Sequence, residues 1–213
     1  VFVDKPIIQY PIAAAREAGL FDRIIASTDD RHVAEIAREA GAEIPFERPA
    51  ELANDYATTA AVLTHAIQWL NANGPEVTHA CGIYATAPFL RATDLRAGFE
   101  LLRDNDAASV VPVATFESSI YRALEKNPDG TLRMLYPEHE LTRTNDLPET
   151  FRDSGQFYWL NARAFLKSGG IFGSTALPLI LPRHRVHDLD TMEDWETAER
   201  YFSADRLRVQ QEN

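Results

Sequence analysis

Arg23-Ile24-Ile25-Ala26-Ser27-Thr28-Asp29-Asp30 opens the stretch that decides the fold class. Its first six residues form a short run rich in isoleucine that reads as a strand, and the two aspartates stand at the mouth of a helix. Behind them Val33, Ile36, Ala37 and Ala40 fall at i, i+3, i+4 and i+7, one apolar stripe of a 3.6-residue period. Gly41 stops that helix, and residues 43–46 read as the next short strand. A strand, a helix and a strand in succession predict a parallel pair, because parallel neighbours need a crossover between them.

The same rhythm extends in both directions. Residues 5–19 read as a helix entered through Pro6 and closed by Gly19, with Ile8, Ile12 and Ala15 on one stripe; Pro11 should bend it or cost it a backbone bond. Downstream, residues 58–72 predict a helix, 78–85 a strand, 90–103 a helix and 108–114 a strand. The expectation is an α/β fold, an open and mostly parallel sheet with helices on both faces. Ligands of such sheets lie beyond the carboxyl ends of the strands, which gathers Ser27-Thr28-Asp29, Tyr84-Ala85-Thr86-Ala87 and a later aspartate pair on one edge. Between residues 117 and 151 the rhythm breaks into short strand-like pieces around Asn127-Pro128-Asp129-Gly130, a turn signal, and an inserted hairpin or arm is expected there. A helix over 161–167, an apolar segment over 177–181 and a final helix over 192–202 complete the pattern.

The 213 residues are read as one domain, 1–213, with the arm at about 117–151. Hydrophobic residues at 45% and charged residues at 25% fit a globular chain and exclude global disorder. No apolar run approaches the roughly 20 residues that span a bilayer, and no signal-like segment precedes the first helix, so no membrane partner and a cytoplasmic location are expected. Cys81 is the only cysteine, which excludes an intrachain disulfide and a cysteine-rich zinc site. A net charge of −11 argues against a broad nucleic-acid surface. Only three lysines (Lys5, Lys126, Lys167) are present, so arginine carries most of the positive charge.

His187-Asp188-Leu189-Asp190-Thr191 carries the clearest chemistry. In extended chain Asp188 and Asp190 point the same way and can share one hard cation, the ligand pattern of a magnesium-phosphate site. The competing reading is structural, since Asp190 or Thr191 can cap the helix that follows and Thr191 with Asp194 makes a capping-box pair. His187 can orient a ligand or sit as a satisfied structural side chain. No Gly-x-Ser-x-Gly elbow is present to supply a nucleophile. Arg48, in the irregular run Arg48-Pro49-Ala50-Glu51-Leu52-Ala53-Asn54-Asp55, suits bidentate phosphate or carboxylate binding, or else a surface salt bridge. In Asp153-Ser154-Gly155-Gln156-Phe157-Tyr158-Trp159 the glycine lets backbone approach a ligand and Gln156 offers donor and acceptor; the aromatics can wall a pocket or simply form a core strand.

Taken in order, Lys5-Pro6-Ile7-Ile8, Ser27-Thr28-Asp29-Asp30, Phe46-Glu47-Arg48-Pro49 with Glu51-Leu52-Ala53-x-Asp55, Thr86-Ala87-Pro88 and Asp188-Leu189-Asp190-Thr191 resemble the cytidylyltransferases that activate nonulosonic acids, the CMP-N-acetylneuraminate synthetase-like family. Tyr84-Ala85-Thr86-Ala87-Pro88-Phe89-Leu90 and the Asp153 to Trp159 run are more similar to its pseudaminate branch. The resemblance covers essentially the whole chain. It implies a Rossmann-like domain of the nucleotide-diphospho-sugar transferase type, a magnesium cofactor, and the joining of CTP to a nine-carbon α-keto sugar acid with release of pyrophosphate. By resemblance Asp188 and Asp190 become catalytic metal ligands, and Arg48, Thr59 and Asp29 nucleotide contacts. Tyr84, Thr86, Gln156, Phe157 and Tyr158 fall to the sugar pocket, Tyr84 where sialate enzymes have glutamine. Arg143 lies in the arm, which in the family docks on a partner subunit, so a homodimer is implied.

The family also begins with a strand and a glycine- and basic-rich loop that cradles the triphosphate, just ahead of the equivalent of Lys5-Pro6. This sequence starts at Val1, and that segment is expected upstream. The leading expectation for function is CMP-pseudaminate formation. The alternatives are activation of N-acetylneuraminate, legionaminate or 3-deoxy-manno-octulosonate, and, from another class, a non-catalytic nucleotide-sugar binding module.

Overall fold

The computed structural model describes residues 1–173 and 175–211. Helices α1 (Gln9–Ala18) and α2 (Arg31–Glu39) open the chain. Gly19 ends α1 in a left-handed conformation, φ 67°, and its N–H donates to the Arg16 carbonyl. Pro11 falls in the first turn of α1, where its missing N–H has no intrahelical partner to lose, so the expected bend is not required. Asp30 caps α2 by accepting from the Val33 N–H at 2.9 Å. The two strands expected around α2 shrink to one parallel bridge, Ile25 with Glu43, held by Ala26 N–H to Glu43 O at 2.9 Å and Glu43 N–H to Ile24 O at 2.7 Å.

Next come α3 (Thr59–Asn73), β1 (His79–Ile83), α4 (Ala92–Asp104) and β2 (Ser109–Thr115), close to the spans that periodicity predicts. A separate hairpin follows within the expected arm, β3 (Leu124–Lys126) with β4 (Leu132–Met134), turning at Gly130 with φ 87°. The chain returns through β5 (Phe151–Asp153), β6 (Phe157–Asn161), α5 (Ala162–Ser168), β7 (Ala176–Ile180) and α6 (Met192–Gln211). Among the described residues no helix is long and apolar enough to cross a membrane.

The α/β class holds, with helices on both faces, but the sheet differs from a mostly parallel one. β6 lies between β1 and β2 and is antiparallel to both, β5 is antiparallel to β2, and only β7 pairs with β2 in parallel. The cause is the connection. Residues 116–150 leave β2 and return without a crossover helix, and such an excursion brings a strand back antiparallel. β1, β2 and β7 still run one way, so their carboxyl ends and the start of β6 share one edge.

Side chains alternate along β6. Phe157 and Trp159 join Ala14 and Ala15 of α1 and Leu95 of α4 on one face, while Tyr158 and Leu160 join Ile67 of α3 and Phe165 of α5 on the other. Each such fully buried large side chain contributes about 1.5–3 kcal/mol. The Trp159 indole N–H is satisfied by the Leu95 carbonyl at 2.9 Å. A third cluster packs Phe2 edge-on against Tyr10, Trp195 and Phe202.

Candidate functional site

The site is built on a break in one strand. Val113 pairs with Asp153 on β5, and Val110 pairs with Trp159 on β6. Only Val111 and Pro112 separate those partners on β2, whereas Ser154 to Tyr158 separate them on the other side. The surplus is absorbed by a bulge at Ser154-Gly155-Gln156, with Gly155 at φ 62°. Asp153 spans the bulge: its Oδ1 accepts from the Gly155 N–H at 2.9 Å, and its Oδ2 accepts from the Tyr158 hydroxyl at 2.5 Å.

Two segments meet the bulge. From β1, the Tyr84 N–H donates to the Gln156 carbonyl at 2.9 Å, the Tyr84 ring packs edge-on against Tyr158 at 5.8 Å, and its hydroxyl is hydrogen-bonded to Thr59 Oγ1 at 2.7 Å, with either oxygen able to donate. Burial, reinforced by Asp153 and Tyr84, holds the Tyr158 hydroxyl far above the usual phenol range, so it stays a donor. From the other side comes the segment running into α6. A Cβ added at Gly155 would stand in ordinary contact, 3.4 Å from Asp188 Oδ1, so that carboxylate lies beside the bulge, and it is the left-handed φ of 62° that calls for glycine. Gln156 Nε2 donates to the Arg185 carbonyl at 2.5 Å, and Arg152 donates to the Val186 carbonyl at 2.8 Å while its Nη1 lies 3.9 Å from Asp188 Oδ2. Gln156 Oε1 is buried with no partner among the described residues.

The capping question has a clear answer. Asp194 N–H donates to Thr191 Oγ1 at 3.2 Å, and Asp194 Oδ2 accepts from the Thr191 N–H at 2.9 Å. The Thr191 hydroxyl also donates to Asp194 Oδ2 at 2.6 Å, and this bond first, then the one from the Thr191 N–H, holds the Asp194 carboxyl below its ordinary pKa. Thr191 therefore caps α6, and neither Asp188 nor Asp190 is used for it. Both aspartates are exposed. Among the described residues no group of three or more His, Cys, Asp or Glu is placed to hold a metal ion alone. Two exposed carboxylates, Asp188 with Arg152 at 3.9 Å, nonetheless fit magnesium, which is usually held by one or two carboxylates with substrate phosphate and water filling its other positions.

The structure brings together Thr59, Tyr84, Gln156, Tyr158 and Asp188 from the predicted residues. Arg48 stands by the first strand segment, donating from Nε to Ser27 Oγ at 3.1 Å and from Nη2 to the Ser27 carbonyl, with Asp29 exposed two residues on. Thr86 is exposed beyond β1. Arg143 is an exposed arm residue with Asp146 at 3.8 Å as its ion-pair partner. Phe157 is corrected most: strand alternation turns its ring away from Tyr158 into the α1/α4 core, where it is fully buried, so it is packing and not pocket wall. Asp153, Arg152, Arg185 and Asp94 escaped the sequence reading. Asp153 alone left a trace, as the residue opening the Asp-Ser-Gly-Gln run.

The α/β fold, independently of this cluster, is shared with solved nucleotidyltransferases. CMP:2-keto-3-deoxy-manno-octonic acid synthetase, solved with CTP, superimposes with a TM-score of 0.68 at 13% identity, covering 96% of this chain and 90% of that one. The 4-diphosphocytidyl-2C-methyl-D-erythritol synthase of Anaerococcus prevotii DSM 20548 gives 0.66 at 11% identity over 95% and 91%. Residues 1–201 match the family described as Cytidylyltransferase. The chain is 36% identical over 197 residues to the pseudaminic acid cytidylyltransferase of Campylobacter jejuni subsp. jejuni serotype O:23/36 (strain 81-176), spanning 92% of this chain and 85% of the relative. It is 31% identical over 189 residues, 88% of this chain, to the bifunctional pseudaminic acid cytidylyltransferase and UDP-2,4-diacetamido-2,4,6-trideoxy-beta-L-altropyranose hydrolase of Helicobacter pylori (strain ATCC 700392 / 26695), of which it spans 36%. The chain belongs to the cytidylyltransferase family.

Proposed function

We propose that this chain joins CTP to pseudaminic acid, giving CMP-pseudaminic acid and pyrophosphate. The observation that carries the reading is the 36% identity to a pseudaminic acid cytidylyltransferase across 92% of the chain. In the reaction the sugar's anomeric oxygen forms a bond to the α-phosphorus of CTP and gives up its proton, and the α–β bond breaks as pyrophosphate leaves. The protein's task is to bring two anions together and offset charge gathering on the phosphoryl oxygens.

Arg48, Asp29 and Thr59 are assigned to the nucleotide. Tyr84, Thr86, Gln156 and Tyr158 are assigned to the sugar acid, with Gln156 Oε1 as an acceptor still in need of a donor. Asp188 and Asp190 would hold magnesium. When bound, that ion supplies charge neutralisation at the phosphates. Arg143 in the arm is assigned to the sugar site of a neighbouring subunit in a homodimer. The hairpin supports that assembly, because Leu124 and Leu132 on one of its faces are 58% and 65% exposed while Glu125 and Arg133 pair at 2.6 Å on the other. The reaction is assigned to the cytoplasm, and among the described residues no helix is long and apolar enough to cross a membrane.

The test is pyrophosphate release by the full-length protein with CTP, magnesium and a panel of nonulosonic acids. Pseudaminic acid should give the highest kcat/KM. Preference for N-acetylneuraminic, legionaminic or 3-deoxy-manno-octulosonic acid reassigns the sugar, and silence with every acid would leave a binding module.

A further inference from the structure

We infer that Asp153 is a positioning residue for the sugar-acid pocket, acting through Tyr158 and the Gly155 amide. The inference rests on the cytidylyltransferase reading above and deepens it. Asp153 is only part-buried, yet both its oxygens are committed, one to the left-handed Gly155 at 2.9 Å and one to Tyr158 at 2.5 Å. Those two donors lie on opposite sides of Gln156. A single carboxylate therefore fixes the shape of the bulge from both ends, and with it the direction of Gln156.

The effect is carried further by packing. Tyr158 is 4% exposed, so its ring cannot move without moving Tyr84, whose ring meets it at 5.8 Å and whose hydroxyl is bonded to Thr59 at 2.7 Å. On the other side, Asp188 Oδ1 lies beside the bulge, 3.4 Å from where a Cβ on Gly155 would stand. Asp153 thus orders Tyr158 directly and Tyr84 through the packed ring, the two aromatic groups assigned to the sugar acid, while Thr59 and Asp188 lie one step further out. Its place on the rigid β5–β2 pairing makes it an anchor, since Val113 is its partner there.

Steady-state kinetics with CTP and pseudaminic acid on Asp153→Ala, Asp153→Asn and Tyr158→Phe test the inference, with melting curves alongside. Asp153→Ala should raise KM for the sugar acid about 10-fold or more and KM for CTP less than about 2-fold. Asparagine keeps an oxygen for the Gly155 N–H and should restore part of the loss. In a Tyr158→Phe background Asp153→Ala should add less than it costs alone, because the Tyr158 contact is already gone and only the Gly155 bond is left to lose; fully additive losses would overturn the route through Tyr158. An unchanged sugar-acid KM, or equal rises for both substrates with a lowered melting temperature, overturns the inference while leaving the function standing. Absence of turnover by the unsubstituted enzyme with every acid overturns the function and this inference together.

Discussion

Arg185 grips Asp94 with both ends of its guanidinium, Nη1 on Oδ2 at 2.6 Å and Nη2 on Oδ1 at 3.1 Å, and both side chains are buried. Asp94 also accepts from the Arg91 N–H at the start of α4, so the pair fastens the segment before the aspartate pair to the end of a core helix. Removing one partner leaves a buried charge with no counterpart. Arg185→Ala should destabilise the fold by about 3–5 kcal/mol in urea unfolding. Arg185→Met combined with Asp94→Asn should lose clearly less, and full stability of the single variant would contradict the account.

Gly98 sits where α4 meets the sheet. A Cβ there would be 2.8 Å from Trp159 Cδ1 and 3.2 Å from Phe157 Cε2. Crowding of that kind costs about 1–3 kcal/mol, which outweighs the gain of about 0.8–1.0 kcal/mol that alanine brings to a helix. Gly98→Ala should therefore unfold at a lower denaturant midpoint. Gly170→Ala, where nothing lies within 4 Å of the added carbon, should stay within about 0.5 kcal/mol of the parent.

Asp190 and Thr191 are neighbours with separate duties, and two substitutions should separate them. Asp190→Asn should lower kcat about 100-fold or more while the melting temperature holds, since its side chain has no bonding partner among the described residues. Thr191→Val removes the hydroxyl that accepts from Asp194 N–H at 3.2 Å and should lower the melting temperature while turnover at 25 °C survives. Full turnover by Asp190→Asn would remove the metal role from the pair.

Tyr10 sets an alkaline limit. Its hydroxyl donates to the Phe2 carbonyl at 2.8 Å and to Asp4 at 2.5 Å; burial first, and Asp4 second, push its pKa up to about 12 from 10.0. A phenol raised in the folded state contributes stability that is complete below pH 10 and is lost as pH rises through about 12. Tyr158 is raised for related reasons and acts in the same direction. The melting temperature should fall steeply between pH 10 and 12, and Tyr10→Phe should make that fall shallower.

Helices were legible because their signals are local. Asp30 caps α2 and Gly19 ends α1, and of the stripe Val33, Ile36, Ala37 and Ala40 the structure buries Ala37 and half-buries the other three, with Ala34 buried beside them. Strand direction was not, because alternation shows which face a residue takes and not which strand lies beside it; the antiparallel place of β6 follows from how the arm returns. The residues of the candidate cluster were legible where they coincide with motif residues such as Tyr84, Gln156 and Asp188, which the structure brings together. Arg185 and Asp94 stayed hidden because their sequence separation is 91, and Arg183-His184-Arg185 reads like any exposed basic run. Phe157 was misplaced for a simpler reason, that neighbours in a strand face opposite ways.

The position of β6 between β1 and β2 also dictates an order of events on the ribosome. β1 is made early, yet its strand partner is residues 157–161, and β2 faces the same strand. The middle of the sheet therefore cannot close until the arm has been synthesised and has left the exit tunnel. Until then β1 and β2 expose the backbone edges that β6 later covers, and these are the edges nascent chains of this protein must keep from pairing with one another.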